Sequence, residues 1–330
     1  MNNFELLQRY ATGEKNFSRS KLVGAHLMGA DLIGINLSYA NARSSNLVLA
    51  YLNRADFSQA DLTGSKLSGA NLSQANLAGA NLSDVDLHGA TLQGADLRGA
   101  KLALADLLDA NLVDADLRGV DLGGANLTGA CLRGANLRGE IRQSPVSLRG
   151  AKLHRIDLQG ANLQGADLSK VDLRGANLRE ASLHSADFHQ ANLSGASLQA
   201  AYLKDANLRE ADLSDANLAS ATMEGVNLTE ALLANANLNR AMLGQAMLNS
   251  AIFTQATLRE ARLVRADLSR ADFEEADLFA ANLTEVYLAR TNLSNANLSE
   301  VQLTRAELSS ANLAGANLQG ATMPDGSVRG

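Results

Sequence analysis

The feature that most constrains this chain is a beat of five residues. The stretch ADLTGSKLSGANLSQANLAGANLSDVDL, residues 60–87, repeats a unit of small residue, polar residue, Leu, polar residue and often Gly. With the Leu taken as the centre, centres run in register from Phe17 to Leu137 and from Leu148 to Met323. A period of five excludes both common structures. In an α-helix a step of five residues turns the side chain by about 500°, so the Leu stripe wanders and never forms one buried face. In a straight strand five is odd, so successive Leu residues point to opposite sides.

The remaining solution is a short extended piece followed by a turn in every unit. Within a unit Ala and Leu are two apart and so share one face of the extended piece. The chain then coils, with Ala and Leu inside and three residues outside. The outer positions fit. Asp or Asn precedes the centre, as at Asp56, Asn71, Asn76 and Asp96, and Gly often stands two after it, as at Gly64, Gly69, Gly94 and Gly99. Gly tolerates positive φ, and Asn and Asp bond to nearby backbone, so both suit turns. One coil cannot satisfy its own backbone; stacked coils can.

The run ANLSQANLAGANL, residues 70–82, carries an A(D/N)LXX signature that recurs over roughly residues 15–323. In this the chain resembles the pentapeptide-repeat proteins. The resemblance implies an all-β fold, a right-handed quadrilateral β-helix with four units to a coil, hence about 15 coils and a length of roughly 70 Å at the strand spacing. The flanking segments FELLQRYATGEKNF and MPDGSV are similar to those of cyanobacterial members, one of them linked to heterocyst differentiation. That likeness implies a non-enzymatic, regulatory protein-interaction scaffold. The alternative implied by other members is a DNA mimic that binds a topoisomerase such as gyrase.

The sequence divides accordingly. Residues 1–14 read as an N-terminal cap with a helix over 3–12, on which Phe4 and Leu7, with Leu6 and Tyr10, share a face, and which Gly13 stops. Residues 15–137 form a first β-helix run, 148–323 a second run continuous with it, and 324–330 a tail. Residues 138–147 break the beat: the centres Leu137 and Leu148 are 11 apart. Either Ile141 serves as an irregular centre, or one side of a coil carries a loop six residues longer. Pro145 donates no ladder bond, which favours a bulge or loop in both readings.

Composition narrows function. Aromatic residues make up only 4% of the chain, so the core is Ala and Leu. The net charge of −6 argues against a nucleic-acid binder, which carries a basic patch. It also argues against DNA mimicry, because duplex DNA bears one charge per about 1.7 Å. The stacked acids Glu210 and Glu230, with Glu260 and Glu300, are the mimic's best material. Cys131 is the one cysteine, which excludes an internal disulfide. With no apolar leader near the start and no long apolar run, the expectation is a cytoplasmic protein that does not enter the membrane.

No catalytic constellation emerges, and no cofactor or metal is expected. His26, His88, His154, His184 and His189 fall in outward slots. Only His184 and His189 are one unit apart, and they lack a third metal ligand. The pattern that stands out lies on the surface. Arg98, Arg118 and Arg138 recur every 20 residues and so form a ladder. Glu140, Ile141, Arg142 and Gln143 fill the break. Leu232, Met242, Met247 and Ile252 put apolar side chains in the Asp/Asn slot, with Tyr202, Phe279 and Tyr287 also outward. Exposed apolar clusters mark interaction sites. The expected partner is therefore a protein met on one of these surfaces, by a monomer or a weak end-to-end dimer.

Overall fold

The computed structural model describes residues 1–138, 146 and 148–330. They form two compact units, Met1–Asp167 and Leu168–Gly330. In both, parallel bridges join residues before a centre to their counterparts one coil on. Asn41 pairs with Asp61, Asp61 with Asn81, and Asn207 with Asn227. A rung spacing of 20 and a beat of five make each coil four-sided, so the units are parallel β-helices.

One five-residue unit shows why the sequence takes this path. Asn76 N–H donates back to Ala55 O (2.9 Å) and Leu77 N–H donates forward to Asp96 O (2.7 Å). Gly79, at the corner, donates to Arg98 O (2.8 Å), and Ala80 N–H closes the turn on Leu77 O (3.0 Å). Gly79 has φ 65°, the left-handed value a type II turn needs at its third residue. The Asn76 side chain accepts from Ala78 N–H (3.1 Å), an Asx turn that satisfies the next donor. Each unit thus passes its backbone bonds to the coils on either side and keeps only the turn for itself.

The interior is filled by columns of Ala and Leu, nearly all buried, with Phe57, Phe188, Phe253 and Phe273 in Leu positions. Phe253 and Phe273 stack face to face at 4.4 Å. The weak spot of the first unit is Ala42, which replaces a Leu centre. Beside it Ser45 is buried with no partner for its hydroxyl. Ser65, its column neighbour, bonds Leu62 O at 2.6 Å.

The break is described on both sides. Beyond it the rungs join residues 26 apart, Asn126 to Lys152, Cys131 to Asp157 and Asn136 to Asn162. That spacing exceeds the regular 20 by the six additional residues between the centres Leu137 and Leu148. Ile141 and the residues around it lie outside the described set. Val146 and Leu148 are buried, and Asp167 N–H donates to Val146 O (3.3 Å).

The first unit begins with helix α1, Asn3–Ala11. Asn2 caps it by accepting from Glu5 N–H (2.8 Å). Gly13, at φ 98°, follows its end. The expected apolar face needs correction: Leu6 is buried, whereas Phe4 is 76% exposed and Leu7 is exposed as well. Leu6 and Tyr10 are four apart and lie on one side of a helix, while Phe4 sits about 160° round from Leu6. Tyr10 fixes the orientation by donating its hydroxyl to Ile33 O (2.8 Å). At the far end of the second unit Leu308, Leu313, Leu318 and Met323 are only partly buried.

Candidate functional site

The Arg ladder is a zipper of ion pairs. Arg98 and Arg118 stand beside the rung Asp96–Asp116–Asn136. Arg98 grips Asp96 (2.8 and 2.6 Å) and approaches Asp116 at 3.8 Å. Arg118 grips Asp116 at 2.9 and 2.7 Å. The Arg98 hydrogen bonds, working against burial, hold the Asp96 carboxyl below its ordinary range. At Arg98 and Arg118 the carboxylate before the centre thus answers the guanidinium after it, whereas Arg138 follows the amide of Asn136. Arg138 continues the column at the edge of the described residues and is exposed. Glu140, Ile141, Arg142 and Gln143 lie outside the described residues.

The apolar set divides among three of the four sides. Leu232 and Ile252 are direct rung partners. Met247 pairs with Asn227 and Asp267 on the preceding side, and Met242 pairs with Thr222 and Arg262 one side earlier still. Met242 therefore faces away from Leu232 and Ile252, and the four do not make one patch. Tyr287 shares Met247's side, next to Asp267. Tyr202 shares Met242's side and stacks on His184 (6.0 Å). Phe279 lies under the Arg259 guanidinium (4.7 Å).

Two surface depressions accompany these residues. Gly244 leaves a notch of about 130 Å³ among Glu224, Met242, Arg262 and Val264. In it Glu224 Oε2 is buried without a hydrogen-bond partner. A wider groove of about 390 Å³ runs past Asn239, Arg240, Arg259 and Glu260. Its charges are matched internally: Arg240 with Glu260 (3.0 Å) and Arg259 with Asp277 (3.1 Å). Hydrogen bonding from Arg240, then its charge, lowers the Glu260 pKa.

Among the described residues no group of three His, Cys, Asp or Glu side chains is placed to hold a metal. His189 Nδ1 instead meets Arg209 O (3.1 Å), and His184 Nδ1 meets Ser182 Oγ (3.2 Å). Cys131 is half-buried, with Asp157 Oδ2 4.0 Å from its sulfur. No helix among the described residues is long and apolar enough to cross a membrane.

The pentapeptide-repeat family model matches in overlapping segments from residues 16–47 to 281–320 and leaves only 140–145 uncovered between them. The chain belongs to this family. The pentapeptide-repeat protein HetL of the cyanobacterium Nostoc sp. strain PCC 7120, involved in heterocyst differentiation regulation, is 30% identical over 100% of both chains, with a TM-score of 0.28. The pentapeptide-repeat protein Rfr23 of the cyanobacterium Cyanothece 51142 is 27% identical over 43% of this chain and 98% of its own, also at 0.28. QnrB1, a plasmid-mediated fluoroquinolone resistance protein, is 14% identical over 69% of this chain and 92% of its own, at 0.32. No curated protein matches.

Attention to the Asp/Asn slot misses other exposed apolar groups of this family member. Val23, Met28 and Ile33 follow successive centres of the first unit, and Leu49 and Leu104 occupy corners. The signal was present: an apolar residue at either position after a centre points outward as surely as one before it.

Proposed function

We propose that this pentapeptide-repeat protein is a non-enzymatic scaffold that binds other proteins, in a regulatory role of the kind described for HetL. The observation that carries the reading is the contrast between interior and surface. Ala and Leu fill the interior columns, while nearly all chemical variety among the described residues stands outside. The partly buried Leu308, Leu313 and Leu318 suit weak end-to-end pairing with a second copy, since partly exposed apolar side chains favour association. The full chain, tethered and crosslinked in extract from its source cell, is expected to retain a reproducible set of proteins; retention no better than bare matrix would sink the reading. Substitution of Met242 and Met247 by Asp asks whether the sides they occupy take part.

Mimicry of DNA draws no comparable support. Arg209 lies 3.0 Å from Glu210 and 3.4 Å from Glu230, and Arg240 neutralises Glu260, so the best acidic columns are largely matched within the chain. Micromolar protein is expected to leave gyrase supercoiling unchanged.

A further inference from the structure

One corner of the second unit differs from the others. Its column reads Lys170, Gln190, Glu210, Glu230, Ser250, Arg270, Arg290, Ser310, each at positive φ. Arginines on other corner columns are matched to acids one coil away: Arg265 and Arg305, on a neighbouring corner, hold Glu285, and Arg240, on the opposite corner, holds Glu260. Among the described residues, neither Arg270 nor Arg290 has a hydrogen-bonding or ion-pairing partner for its guanidinium, and both are exposed. The nearest carboxylates in sequence are engaged elsewhere. Asp267 accepts from Ser269 N–H and Oγ (2.9 and 2.6 Å). Asp272 accepts from Glu274 N–H and Asn292 Nδ2 (3.1 and 2.9 Å). The two arginines stand one rung apart, about 4.8 Å along the stack. An unmatched stacked pair concentrates positive potential and lacks the neutralisation its neighbours have.

Apolar side chains bracket the same corner. Ser250 lies between Met247 on one side and Ile252 on the next, and Leu232 is Ile252's rung partner. Arg290 follows Tyr287, which is 56% exposed. Reading along the stack, an apolar saddle is succeeded by two free guanidinium groups with a tyrosine beside the second.

We propose that this edge binds an acidic, extended segment of a partner protein: an apolar residue seated over Met247 and Ile252, then carboxylates at alternate positions on Arg270 and Arg290. Alternate side chains of an extended chain share a face and are about 6.7 Å apart, within reach of two long arginines one rung apart. Arg matches carboxylate geometry bidentately. The inference rests on the scaffold reading and specifies its partner.

The test uses the full chain and three immobilised probes: a glutamate–tyrosine copolymer, polyglutamate and duplex DNA. Wild type is expected to prefer the copolymer. Arg270→Glu with Arg290→Glu should weaken that binding about tenfold or more, and Lys204→Glu with Arg262→Glu, the same charge change at exposed sites of the same unit off this corner, by less than about threefold. Met247→Ser with Ile252→Ser should erase the preference for copolymer over polyglutamate. Equal losses from the two charge reversals would overturn the assignment to this corner, and a preference for duplex DNA would overturn the class of partner. If extract proteins are still retained by the Arg270/Arg290 variant at the wild-type level, the inference falls while the scaffold stands; if wild type retains none, the scaffold itself falls.

Discussion

The two units share one backbone recipe and spend their corners differently. In the first, glycine recurs at the left-handed corner, as at Gly89, Gly94, Gly99, Gly119, Gly124, Gly129 and Gly134. In the second, every such corner from Glu230 to Ser310 carries a side chain at positive φ. A left-handed residue with a Cβ costs roughly 1–2 kcal/mol, less for Asn and Asp. The second unit accepts that cost repeatedly. What it gains is a continuous set of corner side chains, some tied into ladders such as Arg240–Glu260 and Arg265–Glu285 and some left open, as at Arg270 and Arg290. A corner is the most protruding point of a square coil, so the unit with side chains there has more with which to meet a partner.

The comparison is sharpest in the core. Phe253 and Phe273 stack in the second unit, whereas the first tolerates Ala42 in a centre. Phe273→Ala is expected to cost about 3–5 kcal/mol, seen as a fall in the denaturant midpoint. A cost under 1 kcal/mol would show that the column repacks freely. Hydrogen exchange should place the loss in the second unit.

The corner rule is tested by exchanging the two solutions. Gly99→Ala, at φ 65° with open space round the new Cβ, should lose about 1 kcal/mol through backbone strain alone. Gln245→Gly, at φ 58°, should gain up to about 1 kcal/mol. Equal signs for the two substitutions would break the comparison.

Ser45→Ala should stabilise the first unit by about 1 kcal/mol, because the buried hydroxyl has no partner. Ser65→Ala, which gives up the bond to Leu62 O, should show no such gain.

The smallest effect concerns pH. Bonds from Arg240 and Arg265 lower the pKa values of Glu260 and Glu285 in the folded chain. A carboxylate depressed by folding adds stability above its unfolded pKa of about 4.3 and loses it as pH falls through the folded value. Glu260→Gln with Glu285→Gln should therefore flatten the acid limb of the melting-temperature profile by lowering stability above about pH 4.3, while leaving it little changed in stronger acid. Glu260 is exposed and Glu285 half-buried, so the flattening should shrink in high salt.

The same contrast explains what was legible in advance. The buried columns could be read because Ala and Leu alternate with outward residues, and a two-residue spacing on an extended piece allows one inside face. The surface was less legible. Arg98 was placed on a ladder by its number, but its Asp96 partner is a matter of rotamer and distance. Leu232 and Ile252, 20 apart, stack on one face by spacing alone, with Met242 and Met247 on neighbouring faces of the coil between, but that Met242 stands opposite the first two is shown by the rungs. Helical spacing offers Phe4 and Leu7 as the buried side of α1, but which helical face turns inward depends on docking, and Leu6 holds that place.

The sequence by itself determined that this chain is a stacked coil with an Ala/Leu interior, because a strict period of five leaves a polypeptide no other way to bury one residue type. Only the tertiary structure decided which guanidinium groups are matched and which stand open. Residues 20 apart become neighbours across a rung, and at that range hydrogen-bond geometry, not residue count, determines whether a charge finds its partner.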